Sequence, residues 1–170
     1  MSARRFLISI LVCVATVAAA DVLPDGWQAT PDGGYAHAAS GITCTKQMGT
    51  FALASLEGPQ APSIVGTCVY SGGEVRIGKL RVRNYVESVG ETPLAIQNDE
   101  ALMHPERQPE GQKPVMTYRT GPGPEVGGVR TQQMVLTFVS RGFLVDCIVQ
   151  TRPDDFDYVQ KGFLDVCPGT

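Results

Sequence analysis

Histidines, phosphate-binding loops and nucleophile motifs are scarce in this sequence of 170 residues. Only two histidines occur, His37 and His104, which limits general acid–base catalysis and transition-metal binding. The chain has no complete G-x-x-x-x-G-K-[ST] loop, no G-x-G-x-x-G turn and no G-x-S-x-G elbow. These absences predict no catalytic residue, no cofactor and no metal ion.

Long apolar runs are also missing, except at the N terminus. Arg4 and Arg5 precede a mostly apolar run over residues 6–17, and three alanines lie just ahead of Asp21. This pattern is typical of a secretory signal peptide with an A-x-A cleavage site. We predict that residues 1–20 are removed on export, leaving a bacterial periplasmic or secreted protein without a transmembrane anchor.

Cysteine is rare as well, and its spacing argues against two kinds of site. Cys13 lies in the predicted signal peptide, so the exported chain keeps Cys44, Cys68, Cys147 and Cys167. They form no C-x-x-C pair for thiol redox chemistry or zinc binding. An even number of cysteines in an exported protein indicates two disulfides. We favour the pairs Cys44–Cys68 and Cys147–Cys167, because each joins neighbouring elements.

Glycine and proline are abundant, with 19 and 12 residues respectively, and they favour turns and short elements over a helical bundle. The 43% hydrophobic residues are enough to bury a core. The net charge of -3 gives no general reason to expect nucleic-acid binding. We expect residues 21–34 to form an extended N-terminal arm that packs through Trp27, and residues 35–170 to form a single domain stapled by the disulfides.

Alternating and β-branched segments predict two hairpins. Residues 63–70 and 74–86 form the first, and residues 129–139 and 143–151 form the second. Residues 115–120 are a candidate short strand, and residues 48–56 fit either a helical turn or a strand. Residues 121–128, rich in glycine and proline, predict a surface connection, with a binding loop as one reading of it.

Two helices are predicted beside these strands. Thr92 and Pro93 favour a helix start, which residues 94–103 can continue. A second helix is expected to open at residues 153–155, followed by an apolar stripe of Phe156, Val159, Phe163 and Val166. The predicted fold class is α+β: a mainly antiparallel sheet of about five strands, with one long C-terminal helix and one short helix packed on it.

Two resemblances accompany this prediction. The segments Trp27, His37-Ala-Ala-Ser40-Gly41-Ile-Thr-Cys44 and Cys68-Val-Tyr70 resemble the opening of small exported bacterial proteins of unknown function. The C-terminal hairpin, with its Asp-rich helix start and Phe-bearing stripe, resembles the end of PsbP/Mog1-type domains, in which helices flank an antiparallel sheet. The second resemblance implies a helix-covered sheet, and neither implies an activity.

A basic strand face is the main candidate site. Alternation places the following residues on one side of the strand, opposite Leu80 and Val82: Lys79, Arg81, Arg83 and Tyr85. Arg76 joins them only if a β-bulge lies at Gly78. Like charges at this spacing repel unless acids or an anionic partner face them. The neutralising groups would be Glu74, Glu87, a carboxylate on a neighbouring strand, the solvent at a sheet edge, or a ligand.

The predicted function is therefore binding rather than catalysis. The leading hypothesis is an exported domain whose basic face docks an acidic protein or an anionic envelope component such as lipid phosphate. It predicts that changing Lys79, Arg81 and Arg83 together to glutamate abolishes partner capture without unfolding the domain. One alternative is a small-molecule pocket between helix and sheet, lined by Phe156 and Phe163. Another is an unrecognised hydrolase that uses His37 with Ser40. The carboxylates of residues 154, 155 and 157 are read as partners of a helix start rather than a calcium site.

Overall fold

The computed structural model describes residues 22–86, 94–111, 115–164 and 167. Within these ranges the chain forms ten β-strands in two antiparallel sheets, with two short α-helices. The predicted signal peptide, the helix start at Thr92 and Pro93, and Val166 lie outside the described residues. Neither described helix is long and apolar enough to span a bilayer.

The smaller sheet has three strands near the N terminus. They are β1 (Trp27–Ala29), β2 (Tyr35–His37) and β3 (Thr43–Cys44), in the order β1-β2-β3. Trp27 is buried, and its indole Nε1–H donates to the carbonyl oxygen of Glu57 at 3.3 Å. A Cβ at Gly66 would lie 2.9 Å from the Trp27 Nε1, so glycine lets the indole lie against the neighbouring strand.

The larger sheet has seven strands, and it carries the core. Its members are β4 (Gln47–Met48), β5 (Phe51–Glu57), β6 (Ile64–Ser71), β7 (Ile77–Arg83), β8 (Met116–Val126), β9 (Val129–Ser140) and β10 (Phe143–Thr151). Their order is β4-β5-β6-β7-β10-β9-β8. Strand β7 is therefore central, since it pairs with both β6 and β10. Helices α1 (Leu94–Met103) and α2 (Phe156–Leu164) flank this sheet.

The apolar face of the larger sheet forms the core. Alternation on β7 buries Leu80 and Val82, and the same face of β10 carries Val145, Cys147 and Val149. Helix α2 packs over this face with two fully or nearly buried side chains, Phe156 and Val159. Each large apolar side chain buried here contributes roughly 1.5–3 kcal/mol, so the core dominates the stability of the domain.

Two disulfides fasten the smaller sheet and the residue Cys167 to this core. Cys44 of the smaller sheet is bonded to Cys68 of β6, and Cys147 of β10 is bonded to Cys167 beyond α2. All four cysteines are buried. The prediction of two disulfide bonds is thus confirmed, and each bond joins elements that pack together. Disulfides of this kind are typical of proteins in oxidising compartments.

The predicted α+β fold class is wrong, because the described chain is mostly β. Instead of about five strands there are ten, and β1 to β4 have only two or three residues each, too few to leave an alternating pattern. The expected long C-terminal helix has nine residues, because Pro153–Asp155 form a separate 3₁₀ turn before it. Of its predicted stripe, the side chain of Phe163 lies outside the described part.

The glycine- and proline-rich connection predicted at residues 121–128 is also wrong. Most of it continues strand β8, and only Gly127 and Gly128 turn into β9. Proline cannot donate to a strand ladder and is therefore confined to edge strands. Strand β8 is the last strand of the sheet, so it can accommodate Pro122 and Pro124. Likewise, the segment left open between helix and strand is the strand β5.

Candidate functional site

The three basic side chains of β7 lie on the face opposite the core, as the alternation predicts. Lys79, Arg81 and Arg83 are half-buried, while their neighbours in the strand are fully buried. Because β7 is a central strand, its cations do not serve to block edge pairing, which was one of the simpler explanations for them. Their charge is balanced by other groups on this face, by the solvent that reaches the exposed part of each side chain, or by a ligand.

Arg83 is neutralised within the protein. Its Nε donates to Asp146 of β10 at 2.8 Å, and its two terminal nitrogens donate to Asp99 of α1 at 2.7 and 2.8 Å. Asp146 also accepts from the hydroxyl of Thr137 on β9 at 2.8 Å. Burial acts to lower the pKa of Arg83, but the hydrogen bonds to both carboxylates outweigh it and raise that pKa. Arg83 is therefore a structural link between α1 and the sheet.

Lys79 and Arg81 have no such carboxylate. No ion pair joins either of them to an acid among the described residues, since the Asp146 carboxylate beside them is bound by Arg83. The Nε of Arg81 is buried without a hydrogen-bond partner, as is the hydroxyl of Thr67, which lies opposite Arg81 on β6. Buried polar groups in proteins are nearly always satisfied, and these two atoms share their lack of a described partner with three other buried hydroxyls of the described chain.

Strand β8 brings a third cation to the same face. The register pairs Lys79 with Ile148 of β10, Ile148 with Val135 of β9, and Val135 with Arg119 of β8. Arg119 likewise forms no ion pair with a described carboxylate. The sequence analysis missed Arg119, because its neighbours in the sheet are set by strand order rather than by its own alternation.

These cations surround an open cavity of about 360 Å³ on the polar face of the sheet, which we call the basic basin. Its lining residues are Lys79, Arg81, Arg119, Thr120, Gly121, Pro124, Gln133, Val135, Asp146, Ile148 and Gln150. The Gln150 amide donates to the Pro124 carbonyl oxygen at 3.1 Å and so holds one wall of the basin. With the Arg83–Asp99–Asp146 network counted, the described charges on this face leave a positive excess.

Two other predicted members of the basic face lie elsewhere. No bulge occurs at Gly78, whose register is regular with both neighbouring strands, so Arg76 does not join the face. Its guanidinium instead pairs with Asp155, in the 3₁₀ turn before α2, at 3.2 Å. Tyr85 follows the end of β7, and its ring contacts His104 edge-on with centroids 5.5 Å apart. Neither Arg76 nor Tyr85 lines the basin.

The histidine and serine of the hydrolase hypothesis do meet, but inside the core. The Nδ1 of His37 lies 3.0 Å from the Ser40 Oγ and accepts the Ser40 backbone N–H at 3.4 Å. Both residues are buried, and the His37 ring lies edge-on to Trp27 and Phe143. Burial lowers the pKa of His37. The pair fixes the loop between β2 and β3, and a substrate has no direct access to the fully buried Ser40.

The remaining predicted features give no further site. Among the described residues, no group of three or more histidine, cysteine or acidic side chains is placed to hold a metal ion. Phe156 is buried in the core, and the basic basin lies on the opposite face of the sheet from the predicted small-molecule pocket. Residues 73–79 match the first seven positions of a P-loop, but Leu80 replaces its Ser or Thr and β7 contains its final Gly and Lys.

No family model matches the chain, and no curated protein or solved structure shows a significant match to it. The two resemblances noted from the sequence stay predictions. What the chain does has to be argued from the basic basin itself.

Proposed function

We propose that this chain is an exported, non-catalytic binding domain that captures an anionic partner through the basic basin. The predicted signal peptide and the two buried disulfides support export to the periplasm or the medium. The basin supports the binding role, because it is open to solvent and its cationic side chains outnumber its carboxylates. The partner would present phosphate or carboxylate oxygens, the groups that arginine and lysine recognise best.

The observation that carries this proposal is that Lys79, Arg81 and Arg119 converge on one cavity without a described acid to pair them. A half-buried cation loses part of its favourable hydration free energy, and an opposite charge or a hydrogen-bond acceptor is needed to compensate that loss. Arg83 binds two carboxylates, one of which, Asp146, lies opposite Arg81, and none of the three basin cations forms an ion pair with a described acid. An anionic ligand would complete what the fold leaves open.

The same observation changes the variant that tests the function. Replacing Arg83 would break the network with Asp99 and Asp146, so a triple variant that includes it would lose stability for a structural reason. The informative variant is K79Q/R81Q/R119Q, which removes three basin charges while retaining a polar side chain at each position. K46Q/R130Q/R152Q is the matched control, since it removes three exposed cations outside the basin.

The experiment is cross-linking in intact cells, affinity capture of the three proteins, and titration of the captured partner at low and moderate salt. Flotation with vesicles of anionic or zwitterionic phospholipid covers a lipid partner. We expect the basin variant to lose binding at least tenfold, the control to keep it, and salt to weaken it by screening. Equal binding by the basin variant and the control, for every partner and vesicle, would overturn the proposed function.

A further inference from the structure

The shape of the basic basin narrows the chemistry of its ligand. We propose that the basin binds a compact organic dianion, with two acidic groups joined by a short apolar segment. This inference rests on the proposed function and specifies the anion that the basin accepts. It is drawn from the way cations and aliphatic side chains alternate across the four strands that form the basin floor.

The floor is a single cross-strand row. Lys79, Ile148, Val135 and Arg119 follow one another on β7, β10, β9 and β8. The cations stand at the two ends, and the aliphatic side chains lie between them. Neighbouring strands are about 4.8 Å apart, so the backbones at the two ends are separated by about 14 Å, and both long side chains can reach inward over the floor.

The two ends of the row differ in charge. Arg81 stands two residues from Lys79 on the same face of β7, so this end carries two cations, while Arg119 alone occupies the other. One acidic group of the ligand would bind between the terminal groups of Lys79 and Arg81, beside the Asp146 carboxylate that lies opposite Arg81 and is held by Arg83. The second acidic group would form a forked pair with Arg119. An apolar segment between them would cover Val135 and Ile148.

The other lining groups and the volume of the basin are consistent with a small ligand. Asp146 also lines the basin, with its carboxylate held by hydrogen bonds from Arg83 and Thr137. Because Arg83 pairs with Asp99 as well, this network keeps one negative charge, and the three basin cations outnumber it. Arg83 also holds Asp99 of α1, which brings that helix against the row next to the basin. The cavity of about 360 Å³ lies at the lower end of the range of roughly 300–1,000 Å³ typical of small-molecule sites. A flat lipid or protein surface would leave the apolar floor unused.

The test uses calorimetric titration of the purified exported chain with succinate, adipate, suberate and sebacate as probes. Each is compared with its half methyl ester, which retains the length and removes one charge. We expect one length to bind best, and its half ester to bind at least tenfold more weakly. This series needs no variant, so a folding defect cannot obscure the result.

Two single variants assign the ends of the row. Arg119→Gln and Lys79→Gln should each reduce the affinity for the best diacid toward that of its half ester, whereas Arg130→Gln, outside the basin, should leave it unchanged. Diacids that bind no better than half esters at any length would overturn the dianion inference. If anionic vesicles or a captured protein still bound through the basin in that case, the proposed function would survive. No basin-dependent binding of any anion would overturn both.

Discussion

Replacing Arg83 by methionine should cost the domain a large part of its stability. Arg83 donates four hydrogen bonds of 2.7 to 3.1 Å to Asp99 and Asp146. The side chains of these acids are 11% and 5% exposed, so Arg83→Met leaves two nearly buried carboxylates without their cation. Breaking a buried ion pair by removing one partner typically costs about 3–5 kcal/mol.

This loss is large enough to measure by urea unfolding with the disulfides intact. Domains of this kind have stabilities of about 5–15 kcal/mol, and a denaturant slope of about 2 kcal/mol per molar converts the loss to a midpoint shift of about 2 M. The control is Arg81→Met, the same change on the same strand and face at a cation that lies opposite Asp146 but forms no ion pair with a described acid. Its expected cost is below about 1 kcal/mol.

A triple variant separates the network from simple loss of packing. R83M/D99N/D146N removes all three charges, and no buried carboxylate is left unpaired, so it should recover at least half of the stability lost in Arg83→Met. If Arg83→Met shifted the midpoint no further than Arg81→Met, the network would not hold α1 to the sheet. A triple variant as unstable as the single one would show that the loss came from packing.

Three further outcomes are expected from urea unfolding. Changing Cys44 and Cys68 together to alanine should cost about 2–4 kcal/mol, because that bond closes a loop with a separation of 24 residues; an unchanged midpoint in the double variant would contradict its stabilising role. Lowering the pH from 7.5 to 5.5 should destabilise the wild type more than His37→Gln. Burial lowers the pKa of His37 in the folded state, so below about pH 6.5 this histidine is protonated mainly in the unfolded chain, which is thereby favoured. Parallel stability–pH profiles for the two proteins would refute this role of His37. Arg141→Asn should stabilise the chain by about 0.5–1 kcal/mol, since Arg141 has a φ of 48° in the turn before Gly142 and asparagine tolerates that conformation better; a lower midpoint would contradict it.

The local sequence pattern was sufficient to predict strand faces and hairpins where elements adjacent in the chain pair with each other. The alternation on β7 correctly separated Lys79 and Arg81 from Leu80, and the β9–β10 hairpin lies where its flanking strands predict it. On β10 the neighbours Asp146 and Cys147 likewise lie on opposite faces, since they pair with Arg81 and Leu80 respectively. These outcomes follow from the period of two along a strand, which needs no knowledge of the rest of the fold.

The sequence did not predict features that depend on pairing between distant segments. Asp146 meets Arg83 only because β7 pairs with β10, and 63 residues separate them. Arg119 reaches the same face only because β9 lies between β8 and β10. Alternation states which side chains share a face of one strand, but strand order decides which strands share a sheet. The fold-class prediction was wrong partly for a related reason. The prolines of residues 121–126 indicated a connection rather than a strand, but β8 is an edge strand, and an edge strand tolerates prolines that a central strand would exclude.

The four cations of this face divide into Arg83, which two carboxylates neutralise within the protein, and three that form no ion pair with a described acid. Arg83 lies at the end of β7 nearest α1, where it pairs with two carboxylates. Its removal should therefore lower the stability of the domain rather than remove a ligand-binding group. Lys79, Arg81 and Arg119 border an open cavity with an aliphatic floor, where added carboxylates would have neutralised them at little structural cost. A chain that needed only solubility would place such charges on exposed edges. Their convergence on one cavity with an excess of positive charge, without an ion pair to a described acid, is the observation on which we base the proposed anion site.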